Sequence, residues 1–202
     1  MTGHERRAAA TRDAIKDAML ELLQRTSFNE ISISQLCREA GVGRATFYTH
    51  YTGLTDVIDE LADDAIDATK RSKMPGAESI ALLAEKMRET TDPKALEPYM
   101  DLLPVCQRVA DHPKYRPLFF DDFVSDYMLK RIFRRERDFQ LSHFLENSRL
   151  SPQQAEKVFL FGIAGAYAVN RSMHWKKDAD WYEVQKALLT FLDGGYAALK
   201  KL

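Results

Sequence analysis

Residues 32–51 read Ser-Ile-Ser-Gln-Leu-Cys-Arg-Glu-Ala-Gly-Val-Gly-Arg-Ala-Thr-Phe-Tyr-Thr-His-Tyr, and the pattern predicts two short helices around a tight turn. Ser32 is placed to cap the first helix, with Gln35 three residues on to complete a capping box. Ile33, Leu36 and Cys37 recur at helical spacing and make one apolar stripe. Gly41 follows the stripe, where a helix end needs a residue that tolerates positive φ. Val42 is the apolar plug of the turn, and Gly43 opens a second helix over residues 44–50 with Ala45, Phe47 and Tyr51 as its apolar members. This is a helix-turn-helix, with residues 44–50 as the recognition helix.

The chemistry of that second helix suits duplex DNA. Arg44, Ala45, Thr46, Tyr48, Thr49 and His50 include its exposed positions and bring a guanidinium, three hydroxyls and an imidazole, with no carboxylate to repel phosphate. Arg44 is placed to meet a base edge, since arginine to guanine is the commonest specific pairing. Thr46 and Tyr48 can donate to phosphate oxygens and fix register. Ala45 is small enough for a close approach to a thymine methyl. Ser34 and Thr55, on either side, complete the expected contact set.

The stretch from Ile33 resembles the DNA-binding signature of the tetracycline-repressor (TetR) family. The Ala-Gly-Val turn, the Thr-Phe-Tyr run and the Tyr-x-His-Tyr ending carry the likeness, which covers about the first quarter of the chain. The resemblance implies a dimeric regulator whose second domain binds a small molecule and releases DNA. One departure stands out. The family usually has a phosphate-binding lysine at the start of the next helix, where this chain has Leu54, within Thr52-Gly53-Leu54-Thr55. Thr52, Thr55 and the amides of that helix start are the expected substitutes.

Composition sets the frame. The chain has 202 residues, 45% hydrophobic and 29% charged, with a formal net charge of −1, which is ordinary for a globular protein with a sizeable core. Charge is uneven. The first 54 residues are only mildly basic, so non-specific DNA binding should be weak. Residues 56–67 then hold six acids and no base. Cys37 and Cys106, the two cysteines, are far apart in a chain without an export signal and read as reduced thiols. No apolar run is long enough to span a membrane, and the resemblance points to a cytoplasmic location. No cofactor is implied. His112, His143 and His174 are too scattered for a metal site.

The rest of the chain reads as all-α, a three-helix DNA-binding domain over residues 1–54 and a helical effector-binding and dimerisation domain over 55–202. Ile15, Ala18, Met19 and Leu22 predict a first helix over residues 6–26. Residues 55–73 form a long helix with Val57, Ile58, Leu61, Ala65 and Ile66 on its buried side, ended by Met74-Pro75-Gly76. Further helices are expected over 78–91, over 92–110 with interruptions at Pro98 and Pro104, over 118–147, from the capping box at Ser151 to about 175, and over 181–199 with Asp180 as cap.

Two sets of residues carry the predictions for the second domain. Tyr99, Met100, Leu103, Cys106, Phe119, Phe120, Phe123 and Tyr127 suit an apolar or aromatic effector, although the same pattern also describes plain core. Residues 158–169 are apolar almost all round, and residues 187–199 carry an apolar stripe with small residues. Phe159, Gly162, Gly165, Ala166, Leu188, Phe191 and Gly195 are the expected homodimer contacts, in a four-helix bundle made by two copies of the last helix pair. Two recognition helices held about one turn of DNA apart would read an inverted-repeat operator. The basic run Lys130, Arg131, Arg134, Arg135 and Arg137 is either a solvated face or a site for an anionic effector. Two competing classes remain: an architectural DNA-binding protein without an effector, and an all-helical enzyme, for which the chain offers no phosphate loop, serine elbow or paired metal motif.

Overall fold

The computed structural model describes residues 2–69, 76–90 and 92–201. Among them every regular element is helical: α1 (Gly3–Leu23), α2 (Ile33–Glu39), α3 (Arg44–Tyr48), α4 (Leu54–Ala68), α5 (Gly76–Glu89), α6 (Val105–Asp111), α7 (Asp122–Asn147), α8 (Pro152–Ser172) and α9 (Ala179–Leu199). Short 3-10 turns cover Phe28–Glu30, Pro93–Leu102 and Arg116–Phe119. The all-α fold class holds. The expected end of the fourth helix near residue 73 lies outside the described residues, as does most of its stop signal.

Two compact units divide the chain. Unit 1 comprises Met1–Ala68 with Val109–Met128, and unit 2 comprises Thr69–Arg108 with Leu129–Leu202. In unit 1, α1 packs on α2 and α4, and α2 packs on α3. Ile15, Met19, Leu36, Phe47, Val57, Ile58 and Leu61 are fully buried there. In unit 2, α5 packs on α9, and Leu83, Met87, Leu96, Leu103, Trp181 and Leu189 form one apolar cluster. Leu141, Phe144, Ala155 and Phe159 form another.

Helix boundaries follow local chemistry. Ser32 Oγ accepts from the Gln35 amide at 3.1 Å, and Gly41 takes φ +65°, as its position after α2 requires. Ser151 and Gln154 form the predicted capping box. Three expectations need correction. The helix expected over 92–110 is instead a 3-10 segment followed by α6, because Pro98 and Pro104 each lack the N–H that an α-helix would use. Asp178, not Asp180, caps α9 by accepting from the Trp181 amide at 3.1 Å. The eighth helix stops at Ser172 rather than 175, since His174 and Trp175 take φ of 53° and 55°, outside the helical range.

The start of α7 shows how a single carboxylate ties unit 1 together. Asp121 accepts from the Val124 amide, the Phe28 amide and the Ser27 hydroxyl, each at 2.9 Å. Burial opposes the charge, but these donors outweigh it and hold the carboxyl below its ordinary pKa. Such a group stabilises the fold above the ordinary carboxylate range and loses that contribution as pH falls through its lower folded value. The Asp121→Asn variant should therefore be less stable than wild type by about 1.5–3 kcal/mol at pH 7. The gap should close on acidification, as paired urea melts from pH 7 down to pH 2.5 would show.

Candidate functional site

The helix-turn-helix presents the predicted polar face. Ser34, Arg44, Ala45, Thr46, Thr49 and Thr55 are exposed and His50 is half-buried. Tyr48 is 50% exposed, whereas its neighbour Phe47 is fully buried. The inward Phe47 fixes which side of α3 faces out. Its ring meets Tyr48 edge-on at 5.5 Å and lies 5.7 Å from Tyr51. No acidic residue occurs between Glu39 and Asp56, and Glu39 is itself paired with Arg25 at 2.7 Å.

A buried polar cluster anchors this element from behind. Lys16 of α1 lies within 2.5 Å of Asp64 and 3.2 Å of both Asp13 and Glu60. Burial works against the ammonium charge, but hydrogen bonds to the three carboxylates leave its pKa above the ordinary value. Tyr51, just past α3, donates to Glu60 at 2.7 Å. Burial first and that bond second push its phenol pKa upward. The end of α3 is thereby tied to α4, and through Lys16 to α1.

The start of α4 differs from expectation. Thr52 donates its amide (2.7 Å) and its hydroxyl (2.6 Å) to the Asp56 carboxylate. These bonds, the hydroxyl's first, lower the Asp56 pKa. Thr52 is therefore taken, and a fixed negative charge sits where a substitute phosphate anchor was expected. The carboxylate satisfies a helix start that has no side-chain cap of the usual kind.

Unit 2 contains a cavity of about 120 Å³, lined by residues of α5 to α9 and the segment before α6. Its walls are largely apolar, including Ile80, Phe144, Phe159, Ile163 and Leu192. Among the described residues, Arg108 and Glu136 are its only charged lining residues, of opposite sign. The Arg108 guanidinium donates to the backbone oxygens of Thr69 (3.1 Å), Asp101 (3.3 Å) and Leu103, and burial lowers its pKa. On α8, Gly162 leaves room for Tyr196 of α9: a Cβ there would sit 2.5 Å from the tyrosine hydroxyl. Burial pushes that phenol up to about 12.

No protein-family model matches the chain, and no curated protein matches it in sequence. A solved structure similar to it is that of the dihydroxyacetone kinase operon activator DhaS. That match has 14% sequence identity and a TM-score of 0.43, and it covers 94% of this chain and 97% of that chain.

The predicted effector set divides. Leu103 lines the cavity. Tyr99 and Met100 pack against the neighbouring buried cluster instead. Cys106 is fully buried, and burial raises its thiol to about 12, so it is an inert filler. Phe119, Phe120, Phe123 and Tyr127 belong to unit 1 and line no part of this cavity. Phe119 is buried there, Phe120 is 54% exposed, Phe123 stacks on Phe28 at 5.2 Å, and Tyr127 donates to Asp59. Asp121 holds this segment against Ser27 and Phe28 within unit 1.

The predicted dimer set divides as well. Phe159, Gly162, Ala166 and Leu188 line the cavity within one chain. Gly165, Phe191 and Gly195 are exposed, and Phe161 of α8 and Phe191 of α9 are each 64% exposed. In the basic run, Arg137 pairs with Glu156 at 2.9 Å. The polar residues of the cavity, Gln107 and Gln185 above all, were missed. The available signal was Gln185 lying on the Trp181–Leu189 stripe of α9, a polar side chain at a buried position.

Proposed function

We propose that this protein is a transcription regulator of the TetR type, most simply a repressor, that acts as a homodimer on an inverted-repeat operator and answers to a small-molecule effector. The observation that supports it best is the exposed, acid-free face of α3 held rigidly over the buried Phe47. Arg44 reads a base edge, Thr46, Tyr48, Thr49 and Ser34 fix phosphates, and Ala45, His50 and Thr55 border the contact. In this reading residues 1–54 bind DNA, and residues 55–202 bind the effector and pair the two copies. The effector occupies the cavity of unit 2, shifts α4, and moves the two recognition helices out of register with the operator. No described helix is long and apolar enough to cross a membrane, and a cytoplasmic regulator is the corresponding proposal.

The test of DNA binding is a mobility shift with the duplex flanking the gene, at 50 and 200 mM salt, against a scrambled duplex. A sequence-selective shift that weakens with salt supports the reading; equal retardation of both duplexes, or none, overturns it. The exposed Phe161 of α8 and Phe191 of α9 support the homodimer. Replacing Phe161 and Phe191 together by Glu should weaken self-association about 100-fold or more, since buried aromatic anchors carry most of an interface's energy. Sedimentation should then show a monomer that keeps its helical far-ultraviolet circular dichroism, with a melting temperature lowered by the lost association. A particle whose mass is the same in both proteins would remove these aromatics from the interface.

A further inference from the structure

A chain of buried side-chain amides leads into the cavity, and its polarity is determined. It begins at the Trp181 indole, which can only donate, and which gives its N–H to Asn170 Oδ1 at 2.8 Å. Asn170 Nδ2 in turn donates to the Ala166 carbonyl at 2.8 Å, which fixes its orientation. Gln185 Nε2 also points at Asn170 Oδ1, at 3.4 Å, so Gln185 must offer its oxygen to the next member. Gln107 Nε2 donates to that oxygen at 3.2 Å. Each amide is thus oriented by the one before it, with the donor-only indole at the origin.

The chain ends on an acceptor. Gln107 is 2% exposed, lines the cavity, and its Oε1 has no hydrogen-bond partner. Rotating this amide would not resolve the matter, because its oxygen would then face the oxygen of Gln185. A buried acceptor of this kind is costly unless a donor meets it. The charges of the described lining residues cancel, one arginine against one glutamate, and the arginine donates to three backbone carbonyls. Neither an anion nor a cation is favoured by such walls.

We propose that the cavity takes a compact, uncharged molecule with an apolar body and one hydroxyl or N–H group, whose hydrogen is received by Gln107 Oε1. The proposal deepens the effector reading above and rests on it for the purpose of the site. Ligands that offer only lone pairs, such as ethers and ketones, would confront acceptor with acceptor and be rejected. The body of the ligand lies against Phe144, Phe159 and Leu192.

The test compares size-matched probes by calorimetry on the full chain without DNA. The pairs are 4-ethylphenol against 1-ethyl-4-fluorobenzene, and indole against benzofuran. The donor of each pair should bind about ten-fold or more tightly than its partner, since a site built to meet a donor discriminates strongly against the analogue lacking it. In Gln107→Leu that ratio should fall to about one. Equal affinities within both pairs, binding by neither donor, or a preference that survives in Gln107→Leu would overturn the assignment. The comparison on the unaltered protein stands even where the variant fails to fold. The same probes are then added to the mobility-shift assay. Donor-selective binding that leaves the DNA complex unchanged upholds the ligand class and overturns the effector reading instead.

Discussion

Protein carrying Arg44→Ala and Tyr48→Ala together is expected to bind its operator about 100-fold or more weakly than wild type while remaining folded. Each truncated contact should cost about 1–3 kcal/mol of duplex affinity. Both side chains are exposed, and neither supports the core, since Phe47 carries the packing of α3. The melting temperature and particle mass should therefore be unchanged. The two losses should differ in kind. Losing Arg44 should relax the preference for one base pair in each half-site. Losing Tyr48 should weaken all sequences alike, because a phosphate contact carries no base information. A titration series over single-base operator variants separates the two, and affinities equal to the parent's would remove this face from DNA recognition.

Trp181→Ala should be the most damaging substitution in unit 2. Its ring is fully buried, and removing a buried tryptophan costs about 3–5 kcal/mol in lost burial and cavity formation. Its N–H also orients Asn170, and through it Gln185 and Gln107. Trp181→Phe restores most of the volume but not the donor, and should fall between the two. Chemical denaturation of the three proteins, followed by far-ultraviolet circular dichroism, gives the order directly. An alanine variant as stable as wild type would show that this cluster does not hold unit 2 together.

Much of the fold was legible because its signals are local. Ser32, Gly41 and the Ile33–Leu36–Cys37 stripe act within a few residues: Ser32 caps α2 and Gly41 takes positive φ, though only Leu36 and Cys37 of the stripe are buried and the expected capping box is made on the Ser32 side alone. The cavity of unit 2 was not legible, for a reason that the aromatics of residues 119–127 illustrate. Helical spacing shows that such residues are apolar together, not which element covers them. That was decided by Asp121, whose bonds reach back more than ninety residues to Ser27 and Phe28. The cap of α9 failed for a different reason. Asp178 and Asp180 are equally good capping residues, and propensity cannot choose between two acids two positions apart. The amides of the cavity stood in the sequence as ordinary glutamines; only their burial gives them a role.

The bond pattern at Thr52 has a consequence for how the proposed regulator searches a genome. With Asp56 fixed at the head of α4 and the first 54 residues only mildly basic, such a regulator should have little general hold on random duplex. Residence on the wrong sequence is then brief, because non-specific attachment grows with each phosphate neutralised. Discrimination falls to the handful of side chains on α3. Such a regulator would be scarce on bulk chromosome and concentrated at its cognate sites, even at low copy number.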